Sequence, residues 1–179
     1  MNTACACCGD LLRGALGRRR LLAFGAAVGL AAVAPRPLWA AEGNYEAMLL
    51  TCIDPRFPEP TLSYMRGRGM VGKYSQFTVA GAAIGAVAPA FATWHATFWD
   101  NLAASIELHH IPKVIAIDHR DCGAAKIAYG AEKVANVTME TATHKAALEA
   151  FRAEVAKRQP ALKVETGLMA LDGTVEMLG

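Results

Sequence analysis

The chain has 179 residues, 54% of them hydrophobic, with 18 basic and 16 acidic side chains and a formal charge of +2. That length suits one domain able to bury a core of its own. Five of the basic residues but one acidic residue lie in the first 40, so the remaining 139 carry 13 basic against 15 acidic, a net −2. The mild basicity of the whole chain therefore argues neither for nucleic acid nor for membrane binding by the domain.

The chain opens with Arg13, Arg18, Arg19 and Arg20, an uncharged run over residues 21–35, and then Pro35-Arg36-Pro37-Leu38-Trp39-Ala40-Ala41. Charged region, apolar run and small-residue site are the layout of an export signal, and the run is too short to span a bilayer comfortably. Gly17-Arg18-Arg19-Arg20-Leu21-Leu22-Ala23 resembles a twin-arginine signal, the bacterial route for proteins already folded, with glycine where a hydroxyl residue is usual. The expectation is a signal at 1–40 that engages the export machinery and is cleaved after Ala40. It leaves a periplasmic domain at 41–179 with no stable membrane association; an ordinary secretory signal or an uncleaved anchor is the alternative. Cys5, Cys7 and Cys8 would leave with the signal, so only Cys52 and Cys122 remain. Two lone cysteines in an oxidising compartment could form a disulfide. Folding and metal loading before export would keep them as thiolates.

Residues 45–52 read as a strand, a continuous apolar run suited to burial on both faces. Pro55, Pro58 and Pro60 postpone any helix to about Thr61, and Gly67 ends it. Residues 73–80 alternate and form a second strand; residues 82–89 are small and apolar, without a clear conformation. A crossover helix runs from about Thr93 to His109, and residues 113–118 make the third strand. Residues 122–130 open a short helix whose start favours a thiolate. Residues 136–141 read as loop, and a long amphipathic helix follows to Arg158 with Ala147, Leu148, Phe151 and Val155 on one face. Residues 161–170 form a fourth strand, Asp172-Gly173 a hairpin turn, and residues 174–178 an antiparallel edge strand. Strands alternating with helices predict an α/β fold, an open and mostly parallel sheet with flanking helices and an antiparallel edge strand.

Two groups of chemically capable residues end strands in that scheme, Cys52-Ile53-Asp54-Pro55-Arg56 and Asp118-His119-Arg120-Asp121-Cys122-Gly123. Parallel sheets bring such positions together at their carboxyl edge. Cys52, His119 and Cys122 supply three ligands for zinc and leave a fourth position for water. Asp54 would orient that water, acidified toward hydroxide, while Arg56 clamps Asp54 and keeps it off the metal. Released from Arg56, Asp54 becomes a possible fourth ligand that closes the site.

The paired segments resemble the signature of the β-class carbonic anhydrases, Cys-x-Asp-x-Arg followed much later by His-x-x-Cys-Gly. Ala80-Gly81, the lead-in Ser105-Ile106-Glu107 with residues 114–118, and the closing 167–173 extend the resemblance over nearly all of 46–179. It implies reversible hydration of carbon dioxide to bicarbonate at zinc, with Asp54 and Arg56 catalytic, Cys52, His119 and Cys122 as ligands, and a homodimer or higher homo-oligomer. Pro55, Asp118 and Thr78-Val79 depart from the family pattern, and the family's N-terminal helices are missing ahead of Cys52. The alternatives are a zinc hydrolase of a related linear substrate, carbonyl sulfide or carbon disulfide, and a zinc-binding module without hydratase activity.

Other residues have blander readings. His109 and His110 cap a helix or lie on the surface, and His95 and His144 are placed at the surface. Asp118 and Asp121 are either partners of His119 or solvated. Phe98 and Trp99, with Trp94, are read as core packing ahead of a partner surface, and Lys133, Lys145, Lys157 and Lys163 as a solvated face. His119-Arg120-Asp121 also spells the protein-kinase triplet, but no other kinase part accompanies it.

Overall fold

The computed structural model describes residues 43–178. The signal, its cleavage point and Cys5, Cys7 and Cys8 lie outside the described residues. Five strands form one sheet in the order β2-β1-β3-β4-β5: β1 Ala47–Thr51, β2 Tyr74–Thr78, β3 Lys113–His119, β4 Lys163–Met169 and β5 Val175–Met177. β1 pairs in parallel with β2 and β3, and β3 with β4, while β5 runs antiparallel to β4. The open, mostly parallel sheet with an antiparallel edge strand is as the alternation of elements predicts.

Burial on both faces explains the unbroken apolar runs of β1 and β3. Met48, Leu50, Val114 and Ala116 face one way, into a core with Phe98, Leu102, Leu148, Phe151 and Val155. Leu49, Ile115 and Ile117 face the other way, onto Phe57, Met65 and Met70. The first face is covered by α2 Ala83–Val87, α3 Ala92–His109 and α5 Val137–Arg158, and α1 Pro58–Gly67 contributes Met65 to the second. Phe98 and Trp99 are buried as core, whereas Trp94 is partly exposed and stacks on Phe91. No helix among the described residues is long and apolar enough to cross a membrane.

Three local expectations are corrected. The helix expected near Thr61 begins at Pro58. Prolines tolerate the first helical turn because their missing N–H groups would have had no intrahelical partner there, and the Thr61 N–H already reaches the Phe57 carbonyl at 2.9 Å. Residues 137–141 are helical rather than loop, because Asn136 caps α5 by accepting from the Met139 N–H at 3.0 Å. The unassigned stretch after Gly81 holds α2, which starts from Ala82 at φ 49° and has no cap of its own.

Candidate metal centre

The chain leaves β1, turns outward to β2, and returns to place β3 on the other side of β1. That reversal of strand order opens a crevice at the carboxyl ends of β1 and β3, where open α/β sheets put their sites. Cys52 follows the last residue of β1, His119 is the last residue of β3, and Cys122 precedes α4 Gly123–Tyr129. The two sulfurs and a ring nitrogen of His119 lie within 4.8 Å of one another. A single ion at bonds of about 2.0–2.3 Å suits such a group.

The His119 ring is prepared for that role. Its Nδ1–H donates to the Arg120 carbonyl at 2.8 Å, which leaves Nε2 as the bare acceptor. Nε2 is buried and has no hydrogen-bond partner. The ring packs on Phe57 at a centroid distance of 4.0 Å, a contact from the start of α1 that spacing did not reveal. Two soft sulfurs and one imidazole are a donor set for zinc rather than magnesium or calcium.

The thiols share their protons unequally. A hydrogen bond from Cys122 holds Cys52 below the ordinary thiol range against the opposing effect of burial, aided by His119 and the Gly81 and Asp54 N–H groups. The bond to that neighbouring sulfur, with burial, pushes Cys122 up. Burial disfavours a charged His119, but Cys52 and the Arg120 carbonyl outweigh it, so the ring's pKa is raised.

Asp54 is not part of this donor cluster. Its Oδ1 accepts from Arg56 Nε at 2.9 Å and from the Arg56 backbone N–H at 3.0 Å, and its Oδ2 accepts from Nη2 at 2.7 Å. The Arg56 side chain is the main reason that Asp54 titrates at about 2. Arg56 also donates to Asp121, from Nη1 to the carboxylate at 2.7 Å and from Nη2 to the carbonyl at 3.0 Å. Asp121 sits at φ 56°, and its N–H is held from the other side by Glu140 Oε1 at 2.6 Å. Glu140 Oε2 accepts in turn from Arg120 at 3.2 Å. The turn carrying Cys122 is thus gripped between the β1 loop and α5.

Neither aspartate beside His119 pairs with its ring. Asp121 is 72% exposed, and the side-chain partner it has is Arg56 rather than His119. Asp118 is wholly buried and faces away from His119, because successive side chains of β3 point to opposite sides. Its Oδ2 accepts from His144 Nδ1 at 2.8 Å and its Oδ1 from the Ala83 N–H at 3.0 Å. Burial pushes the Asp118 carboxyl up, and the two bonds pull it back. His144, expected at the surface, is therefore fully buried in α5. Its position beside the buried Ala147 and Leu148, one turn ahead, was the available signal. His109 ends α3 and His110 caps it in the left-handed region. His95 is half-buried, and Lys133, Lys145, Lys157 and Lys163 are exposed.

The family described as "Putative carbonic anhydrase" matches residues 42–166. An uncharacterized protein of Rickettsia conorii is 34% identical over 131 residues, covering 73% of this chain and 70% of that protein. Among solved structures, a tetrameric β-carbonic anhydrase of Sordaria macrospora aligns with TM-score 0.51 at 15% identity, over 90% of this chain and 95% of that one. A carbonic anhydrase of Streptococcus mutans aligns with TM-score 0.51 at 16% identity, over 90% and 96%. The fold is thus that of the β-class carbonic anhydrases. The chain belongs to the putative carbonic anhydrase family, as a divergent member.

Proposed function

We propose that this protein catalyses the reversible hydration of carbon dioxide to bicarbonate at a zinc ion held by Cys52, His119 and Cys122. The observation that carries the reading is the convergence of those three donors, with His119 Nε2 buried and unpaired, beside a carboxylate clamped by arginine. Zinc, when bound, makes a water acidic enough to act as a nucleophile near neutral pH. Asp54, held ionised by Arg56, would accept the hydrogen bond that orients such a water toward substrate. Arg56 keeps the carboxylate from swinging toward the sulfurs, and its second grip, on Asp121, fixes the turn that presents Cys122. Phe57 holds the imidazole plane.

The same reading makes residues 1–40 a cleaved twin-arginine signal and the domain a periplasmic homo-oligomer. The tetrameric relative supports the oligomer, and the arginine run followed by an uncharged segment supports export.

The test is stopped-flow carbon dioxide hydration by the purified, zinc-loaded chain at pH 7 and 8.5. Rapid hydration at either pH supports the reading. One zinc per chain with no hydration at either pH overturns it in favour of another small electrophile or a binding role.

A further inference from the structure

Ala82 is a buried alanine at φ 49°, ψ −112°, a strained conformation that persists only where its surroundings hold it. The turn around it is tied at both ends. Ahead of it, the Gly81 N–H donates to Cys52 Sγ at 3.1 Å. Behind it, the Ala83 N–H donates to Asp118 Oδ1 at 3.0 Å, and the other oxygen of that carboxylate is held by His144. From below, α2 presses Gly85 against the turn, where a Cβ would fall on the Ala80 carbonyl oxygen. A continuous path therefore runs from α5 through His144, Asp118 and the strained turn to the sulfur of Cys52.

We infer that His144 is a positioning residue for the metal thiolate, acting through Asp118 to aim the Gly81 N–H at Cys52 Sγ. Its Nδ1–H carries the one hydrogen bond that His144 makes among the described residues, and Nε2 has no partner. The ring thus does a single polar task, orienting a carboxylate whose second oxygen anchors the turn. Asp118 lies on the opposite face of β3 from His119, so its effect on the centre travels through the turn and not through the neighbouring ligand. An N–H bond to a thiolate withdraws charge from the sulfur and fixes its direction; groups that orient ligands in this way commonly alter metal affinity by about 10–100-fold. The inference rests on the metal reading of Cys52, His119 and Cys122.

Two substitutions separate positioning from simple filling of space. In His144→Asn the amide nitrogen falls where Nδ1 was and keeps the donor to Asp118, although volume is lost. In His144→Gln more volume is retained, but the donor moves to the place of Nε2, away from Asp118. The readouts are zinc affinity by chelator competition and, in the cobalt-loaded full chain, the sulfur-to-cobalt charge-transfer band. The expected result is that the Asn variant stays within about twofold of wild type, while the Gln variant binds zinc about tenfold more weakly with its band moved to lower energy. A Gln variant as close to wild type as the Asn variant in both readouts overturns the inference. Wild type tests the last link without any substitution: loaded with a spin-half cadmium isotope, its Gly81 amide proton should couple to the metal through Cys52, and no coupling overturns the inference even where a variant fails to fold. Wild type that takes up cobalt without any thiolate band overturns the metal reading itself, an outcome distinct from these.

Discussion

Arg56 divides its donors between Asp54 and Asp121, and Cys122 follows directly on Asp121. The two anchors imply different consequences for changes one residue apart in function. Asp54 contributes no donor to the sulfur–imidazole cluster. Asp54→Ala should therefore leave zinc content at one per chain while hydration falls by about a hundredfold or more, the scale of a lost positioned proton acceptor. Cys122→Ala removes one of the three proposed ligands and should lose both metal and activity. Metal analysis beside the hydration assay checks the pair, and full zinc in the Cys122 variant would sink the ligand assignment. At this scale the sequence was most legible where chemistry and spacing coincide. Cys52, Asp54, Arg56, His119 and Cys122 each stand at or just past the end of a strand, in types that suit a metal and the groups around it. Phe57, Glu140 and His144 were not legible as neighbours of the site's segments, because Phe57 stands just before α1 and the other two lie on α5, where the nearby sequence shows local packing and not what each will face in the fold.

Elements were read correctly where burial dictated the pattern and misread where a distant partner did. β1, β3 and α3 follow their hydrophobic runs. α2 does not, because a carboxylate on β3 takes its first N–H, a cap that no local pattern contains. The ion pairs of Glu165 join elements in a comparable way. From β4 it accepts from Lys113 at the start of β3 at 2.9 Å and from Arg68, just past α1, at 2.6 Å. Burial works against its charge, but those two bonds outweigh it, and its pKa lies below the ordinary value. A carboxylate depressed in the folded state stabilises fully above its unfolded pKa of about 4.3 and loses that contribution as pH falls below it. Glu165→Gln should thus lower stability by about 1 kcal/mol at pH 7 and by less at pH 3. Urea unfolding at the two pH values measures this, and a difference undiminished in acid would show that shape, not charge, holds the junction.

The whole molecule places its chemistry at one edge of the sheet, where β1 and β3 meet. Strand order was legible only as far as alternation implies parallel pairing. The switch that puts β2 and β3 on opposite sides of β1 follows from where the crossover carrying α2 and α3 packs, and no periodicity within a segment encodes that. Its consequence is that residues 52, 119 and 122 come together only once the sheet has formed. An ion bound there binds the folded state and has no preformed site in the unfolded chain, so binding energy becomes folding energy. At free zinc about 1,000 times its dissociation constant the linkage amounts to about 4 kcal/mol, or about 10 °C in melting temperature for a domain of this size. Thermal melts of the zinc-loaded chain, with and without chelator, should differ by that amount. The Cys122→Ala variant should melt at one temperature under both conditions. Equal melting of wild type with and without chelator would mean that the three donors come together without a metal, and would return Cys52 and Cys122 to the role of packed thiols.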